Sequence, residues 1–360
     1  MKPIGKRLRN NLVIYGLVVV TYVVLQIVMG SGHISSSLQG QLVPICVYVV
    51  MAVSLNLTIG VLGELSLGHA GFMSVGAFTG TVACIALESL IPLGAARMAV
   101  SMLIGAACAA VAGVLIGIPV LRLSGDYLAI VTLAFGEIIK NIINCLYVGI
   151  DYRGLHVSFL TSSVALELAE GGRVIIDGPM GISGIKKLST FTMGFVLILI
   201  TLFIVLNLIH SRSGRAIMAL RDNRIAAESV GIPATKYKMM AFVTSAALAG
   251  AAGTLYALNY STVTAAKFNF NTSILILVFV VLGGLGNILG SIIAATVLTI
   301  LPEMLRQFND YRMLVYAVVL ILVMLATNND DFKGLLYQIR GKILARNGTK
   351  EKEGAVNEQL

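Results

Sequence analysis

The sequence predicts an all-α polytopic membrane protein of about ten transmembrane helices, open to an inverted five-plus-five arrangement. Three observations carry this. Of 360 residues 57% are apolar and only 12% charged, and the mean hydropathy is +0.91, far from a soluble domain. Apolar stretches recur along nearly the whole chain, each near the ~20 residues that cross a ~30 Å hydrocarbon core as a helix. A membrane barrel would instead alternate over ~10-residue segments. Finally, the basic residues concentrate in three segments, which makes the +9 net charge a topology signal rather than a nucleic-acid footprint.

Runs and breaks place spans at 12–29, 42–59, 67–87, 98–119, 127–148, 190–210, 238–258, 273–286, 288–301 and 313–327. The first follows a basic start but has no small-x-small cleavage site, so it reads as a span and not a secretory signal. The eighth and ninth are short and together would make one span of about 29 residues. Charge decides between the two counts. Lys2, Lys6, Arg7 and Arg9 place the N-terminus in the cytoplasm; the segment around Arg212, Arg215, Arg221, Arg224, Lys236 and Lys238 follows by alternation. The tail carrying Lys333, Arg340, Lys342, Arg346, Lys350 and Lys352 belongs on the same side, which requires an even number of crossings. Ten spans satisfy all three basic segments, whereas nine strand the tail outside.

The chain thus divides into a cytoplasmic tail at 1–11, a transmembrane domain at 12–327 and a cytoplasmic tail at 328–360. The outer loop 149–189, with four basic and four acidic residues, is too polar and glycine-rich to span, and is expected to form a small ordered cap with one short helix over SSVALELAE. Five spans per half force the halves into opposite orientations, and such repeats place a transport route beside interrupted helices. Each half carries a glycine-punctuated break, GELSLGHAGF in the first and GGLGNILGS in the second, expected to be opposite in sense. Their bent backbones make Gly68, Gly71, Gly283, Gly284, Gly286 and Asn287 candidate pathway residues, joined by Ser66 and His69; Glu64 is expected to face cytoplasmic water.

The cytoplasmic loop 211–237 is the most informative polar stretch. It reads as a helix from Arg215 to Arg221, an N-cap at Asp222 or Asn223, and a second short helix over 224–230 stopped by Gly231 and Pro233. Ile225, Ala226 and Val230 share an apolar face, with Arg224 and Glu228 at i and i+4 on another side. Such a helix is either a basic connector lying on anionic headgroups or a mechanical element that docks into a partner's groove.

Other polar groups in the membrane read structurally. Glu137 and Lys140 pair on one helix face, Asp126 sits at a helix N-terminus as a cap, and Asn56, Thr132, Asn141 and Asn144 could hydrogen-bond a zwitterion, although single Asn or Thr residues more often join helices. The GxxxG spacings at Gly76 and Gly80, Gly113 and Gly117, and Gly286 and Gly290 mark close helix crossings. Cys46, Cys84, Cys108 and Cys145 show no CxxC spacing and read as packing residues. No metal-ligand spacing and no nucleophile and base pairing occur, so the chain reads as a non-enzyme without cofactors. No GxxxxGK[ST] loop is present, and Gly5-Lys6 and Gly341-Lys342 lack its other elements, so ATP must be handled by another chain.

GELSLGHAGFMSVGAF, LRLSGDYLAIVTLAFGEIIKNI, GRAIMALRDNRIAAESVGIPATKYKMMAFVTSAALAGAAGTLYA, VVLGGLGNILGS and LPEMLRQFNDYRMLVYA, in that order, resemble the permease subunits of bacterial branched-chain amino-acid ABC importers. The closer match is to the M-type member of the permease pair, over roughly residues 40 to 327. The resemblance implies a multi-pass inner-membrane subunit that pairs with a second homologous permease, two cytoplasmic ATP-binding subunits and an extracytoplasmic solute-binding protein. It also implies that AAESVG, Ala226 to Gly231, is the coupling loop seated in the ATPase, although the distal Ile-x-Leu-Pro portion is missing. Arg215, Arg221, Asp222, Asn223, Ala226, Ala227, Glu228 and Gly231 are the candidate coupling residues. Leucine, isoleucine or valine is then the expected solute; urea, short amides or another amino acid is the rival within the family, and an ion-coupled secondary transporter the rival outside it.

Overall fold

The computed structural model describes residues 4–30, 36–88, 90–123, 125–151, 154–159, 172–305, 311, 314, 315, 317, 318, 320 and 321. The chain divides into two compact units, Met1–Ile300 and Leu301–Leu360. The second contributes the end of one helix and short helical pieces between 314 and 321. The architecture below is that of the first.

Its helices are α1 (Ile4–Gly30), α2 (Ser36–Asn56) running on into a π-helix (Leu57–Leu62), α3 (His69–Ala86), α4 (Gly94–Val120), α5 (Asp126–Asn144), α6 (Phe191–His210), α7 (Arg212–Asp222), α8 (Arg224–Ser229), α9 (Ala234–Ala257), α10 (Phe270–Gly283) and α11 (Ile288–Met304). Among the described residues seven helices are long and apolar enough to cross a membrane, which establishes a helical polytopic protein. α11 is apolar but has 17 residues, and α5 has 19 with Asp126, Glu137 and Lys140 in them. These helices cover the first nine predicted spans. Most of the tenth, together with the predicted helix at 162–170 and the tail at 328–360, lies outside the described residues.

α9 is the central helix, packed on α2, α3 and α4. Its ALAGAAG run leaves a nearly flat surface that neighbouring backbones approach closely, as small-residue crossings in membranes do. A Cβ on Gly250 would stand 2.4 Å from the Ala109 methyl carbon, and one on Gly76 would stand 2.1 Å from the Gly250 carbonyl oxygen. Any side chain at either place would separate the helices. Thr254 adds a hydrogen bond at this crossing, Oγ1 donating to the Gly76 carbonyl at 2.8 Å. The GxxxG spacings of α3 and α4 are therefore close crossings onto α9, as expected.

The cap is a sheet. β1 (Tyr147–Asp151), β2 (Gly154–Ser158), β3 (Arg173–Asp177), β4 (Ile182–Ser183) and β5 (Thr262–Val263) form one antiparallel sheet in the order β2-β1-β3-β4-β5. Glycine-bounded, β-branched runs such as RVIID favour strands, and β5 comes from the α9–α10 connection rather than from loop 149–189. The all-α expectation thus holds for the membrane part, with a small sheet added. α6, 20 residues and about 30 Å long, leads from the cap directly to α7 and so sets the sheet and the α7–α8 hairpin at opposite ends of the bundle.

Candidate coupling and translocation site

The hairpin is built from local signals. Ser211 opens α7 by accepting the Gly214 N–H at 3.0 Å. Asn223, not Asp222, caps α8, its Oδ1 accepting the Ala226 N–H at 3.0 Å. Asp222 instead receives Nε and Nη2 of Arg221 at 3.1 and 3.0 Å. α8 stops at Gly231, whose φ of +86° suits only glycine without strain. Ala227 is buried against Leu220 and Ala234, which holds this six-residue helix on the end of α7. Ile225 and Val230 are 81% and 76% exposed, Ala226 and Arg215 are exposed too, and Arg224 Nε pairs with Glu228 Oε1 at 2.9 Å beside them. The hairpin therefore presents apolar side chains outward from a firmly capped support.

Arg221 links this hairpin to the membrane part. Its Nη1 donates to the carbonyl of Gly60 at 2.9 Å, inside the π-helix at the end of α2, where terminal carbonyls lack intrahelical donors. One turn earlier Asn56, fully buried, accepts the Gly286 N–H at 2.8 Å and donates to Ser291 Oγ at 2.8 Å. The second glycine break thus lies against the π-helix that leads into the first: a Cβ on Gly60 would lie 2.1 Å from the Gly286 nitrogen. Gly283 and Gly284 are half-buried in the second break, while Gly286 and Asn287 are exposed.

The first break is buried more deeply than its polarity suggests. Glu64 does not face water; it pairs with Lys238 of α9, the two side chains 12% and 5% exposed. Neither charge is tolerable there without the other. Leu67 N–H donates to Thr132 Oγ1 of α5 at 3.0 Å, and Ala70 N–H to Ser273 Oγ of α10 at 3.1 Å. His69 is buried, its Nε2 2.9 Å from Ser54 Oγ. Gly68 and Gly71 abut α5, where Cβ atoms would stand 2.1 Å from the Thr132 carbonyl oxygen and 2.9 Å from the Gly136 Cα. Ser66 is buried with no hydrogen-bond partner for its hydroxyl among the described residues. The first-break candidates therefore pack at a junction of α3, α5, α9 and α10. Glu137 and Lys140 pair as expected, and Glu137 also accepts the Phe270 N–H at 3.3 Å. Asp126 lies in the first turn of α5 without a capping hydrogen bond; the N-cap is Gly125.

Lys238 escaped sequence reasoning because it was read as one more topology charge. Its only sequence signal is its place at the start of an apolar run, opposite an acidic residue in a distant break.

A family described as "Branched-chain amino acid transport system / permease component" matches residues 37–324. The chain belongs to this permease family. Over 317 residues the permease is 34% identical to the high-affinity branched-chain amino acid transport system permease protein LivM of Escherichia coli (strain K12), covering 86% of this chain and 72% of that protein. Over 327 residues it is 33% identical to the LivM protein of Salmonella typhimurium, with the same coverage of 86% and 72%. A shorter match, 29% over 141 residues and 38% of this chain, is to the fructose import permease protein FruG of Bifidobacterium longum. No solved structure matches the permease.

Proposed function

We propose that the permease forms half of the membrane pathway of an ATP-driven importer for leucine, isoleucine and valine in a bacterial inner membrane. A second homologous permease completes the pathway, two ATP-binding subunits bind on the cytoplasmic side, one of them seated on the hairpin, and an extracytoplasmic solute-binding protein delivers solute to the cap. The permease itself has no catalytic role. Ten crossings put both termini in the cytoplasm.

The carrying observation is the hydrogen bond from Arg221 to Gly60. It joins a hairpin with an exposed apolar tip, suited to a partner's groove, to the π-helix against which the second glycine break packs. Closure of the ATPase dimer moves α8; Arg221 passes that motion to the π-helix, and Asn56 passes it to Gly286 and Ser291. Interrupted helices are suited to such changes, because their unpaired backbone groups exchange partners at low cost. An apolar side chain travels easily through so apolar a bundle, and the Ser66 hydroxyl, which has no partner among the described residues, is the group of the first break left to meet the zwitterion when that junction opens, with His69 close by in the chain.

The test is uptake of labelled leucine by the reconstituted complex, with ATP hydrolysis measured alongside. Ile225→Asp with Val230→Asp should abolish stimulation of uptake by ATP while the protein still inserts. Normal ATP-driven uptake by that variant sinks the docking assignment, and preferential competition by urea or another amino acid moves the substrate to a rival class.

A further inference from the structure

At the cap end, the turn between α3 and α4 meets the sheet at a small polar pocket. Three cations, Arg97, Arg173 and Lys186, stand there around one carboxylate, Glu88. Lys186 Nζ donates to Glu88 Oε1 at 2.5 Å, and Arg97 Nη1 stands 3.8 Å from the same oxygen. Arg173 uses Nη2 on the Gly184 carbonyl at 2.7 Å, an uncharged partner. The hydrogen bond from Lys186, reinforced by the charges of Lys186, Arg97 and Arg173, holds the Glu88 carboxyl below its usual pKa, so it is ionised at neutral pH. Two positive charges remain without a counter-charge among the described residues lining the pocket.

Arg97 is the unusual member. It is 6% exposed, and its Nε hydrogen has no partner among the described residues. It also sits in the first turn of α4, the positive end of the helix dipole, which opposes a buried cation. A buried N–H donor of a guanidinium is costly to leave unmade and favours an acceptor, best a negative one, beside it. The cavity measures ≈ 20 Å³, room for about one water-sized particle.

We propose that this pocket binds one small monovalent anion of halide size, accepting the Arg97 Nε hydrogen and lying against Arg173 and Lys186. Leu258, beyond the end of α9, closes the pocket, so the anion ties together the α3–α4 turn, the sheet and the central helix. The bound anion secures the cap on the bundle. This assignment is independent of the solute and of the direction of transport.

The experiment is thermal unfolding of the purified full-length chain in detergent, titrated with sodium chloride or bromide against sodium gluconate and sulfate at constant ionic strength. Chloride and bromide should raise Tm saturably, and gluconate and sulfate should not. Arg97→Gln should raise the half-saturating halide concentration by about tenfold or more, as loss of one charge-assisted hydrogen bond does. Because Arg97 is buried, exposed Arg173→Gln is the second variant, expected to weaken halide binding, with its halide response read against its own Tm in gluconate. Bromide-soaked crystals should give an anomalous peak beside Arg97. Superimposable salt curves, an unchanged response in both variants, or an ordered water at Nε without anomalous signal would overturn the proposal. A carboxylate side chain supplied by a docked protein would give the first of those results.

Discussion

Arg221, in the last turn of α7, donates Nη1 to the carbonyl of Gly60 at 2.9 Å, across 161 positions of chain. This bond fastens a cytoplasmic hairpin to the only π-helix among the described residues, one turn from the asparagine that grips the second glycine break. Removing it tests the proposed transmission most directly. Arg221→Ala should leave insertion and subunit assembly intact but lower leucine uptake per ATP hydrolysed by about tenfold, the equivalent of one hydrogen bond to a charged group. Arg221→Lys should recover little, since a lysine cannot hold Asp222 and the carbonyl with one planar fork. Equal coupling ratios in wild type and Arg221→Ala would show that the hairpin acts through another contact.

Gly60 cannot carry a side chain. A Cβ there would lie 1.9 Å from Asn56 Oδ1 and 2.1 Å from the Gly286 nitrogen, so Gly60→Ala must push the second break away from the π-helix. The expected cost is about 1–3 kcal/mol, as for overpacking elsewhere, read as a lower Tm in detergent. Gly16→Ala, where nothing lies within 4 Å of the new methyl, is the matched control and should keep or raise Tm.

Glu64 and Lys238 form a buried ion pair between the first break and α9. Glu64→Gln alone leaves a buried ammonium unpaired, a loss of about 3–5 kcal/mol. Glu64→Gln combined with Lys238→Met should recover much of that loss, because neither charge is then desolvated. A strictly additive double-mutant cycle would show that the two residues do not interact.

Asn223 supplies the only side-chain cap to α8. Asn223→Ala should destabilise that helix by about 1 kcal/mol, too little to affect the bundle. The readout is therefore local: faster amide exchange at Ala226 and Ala227 and a reduced coupling ratio, with unchanged Tm.

Topology yields to labelling. Cys145 is exposed beside the cap and should react with a membrane-impermeant maleimide added outside intact cells. With native cysteines removed, Asn347→Cys should react only after the cytoplasm is opened, and reaction from outside would refute ten crossings.

What was legible in the chain and what was not divide along sequence separation. The spans follow from runs of apolar residues, and the hairpin from Asn223 and Gly231, because helix periodicity, capping and left-handed stops act within one or two turns. The glycine breaks were visible for the same reason. The seating of the second break on the π-helix was not, since it depends on Asn56 meeting Gly286 and Ser291, 230 and 235 positions away. The sheet cap was hidden likewise: β5 lies some 80 positions beyond β4, and strand pairing leaves no local mark when each strand is two residues long.

By itself the sequence determined that this chain crosses a membrane repeatedly as helices, where those helices break, and that its polar hairpin is a capped helix pair. Only the tertiary structure decided which buried polar groups meet. Hydropathy and capping are properties of a segment, whereas the partner of Glu64, Asn56 or Arg221 is chosen by how closely glycine-lined helices approach, and that distance exists only in the packed bundle.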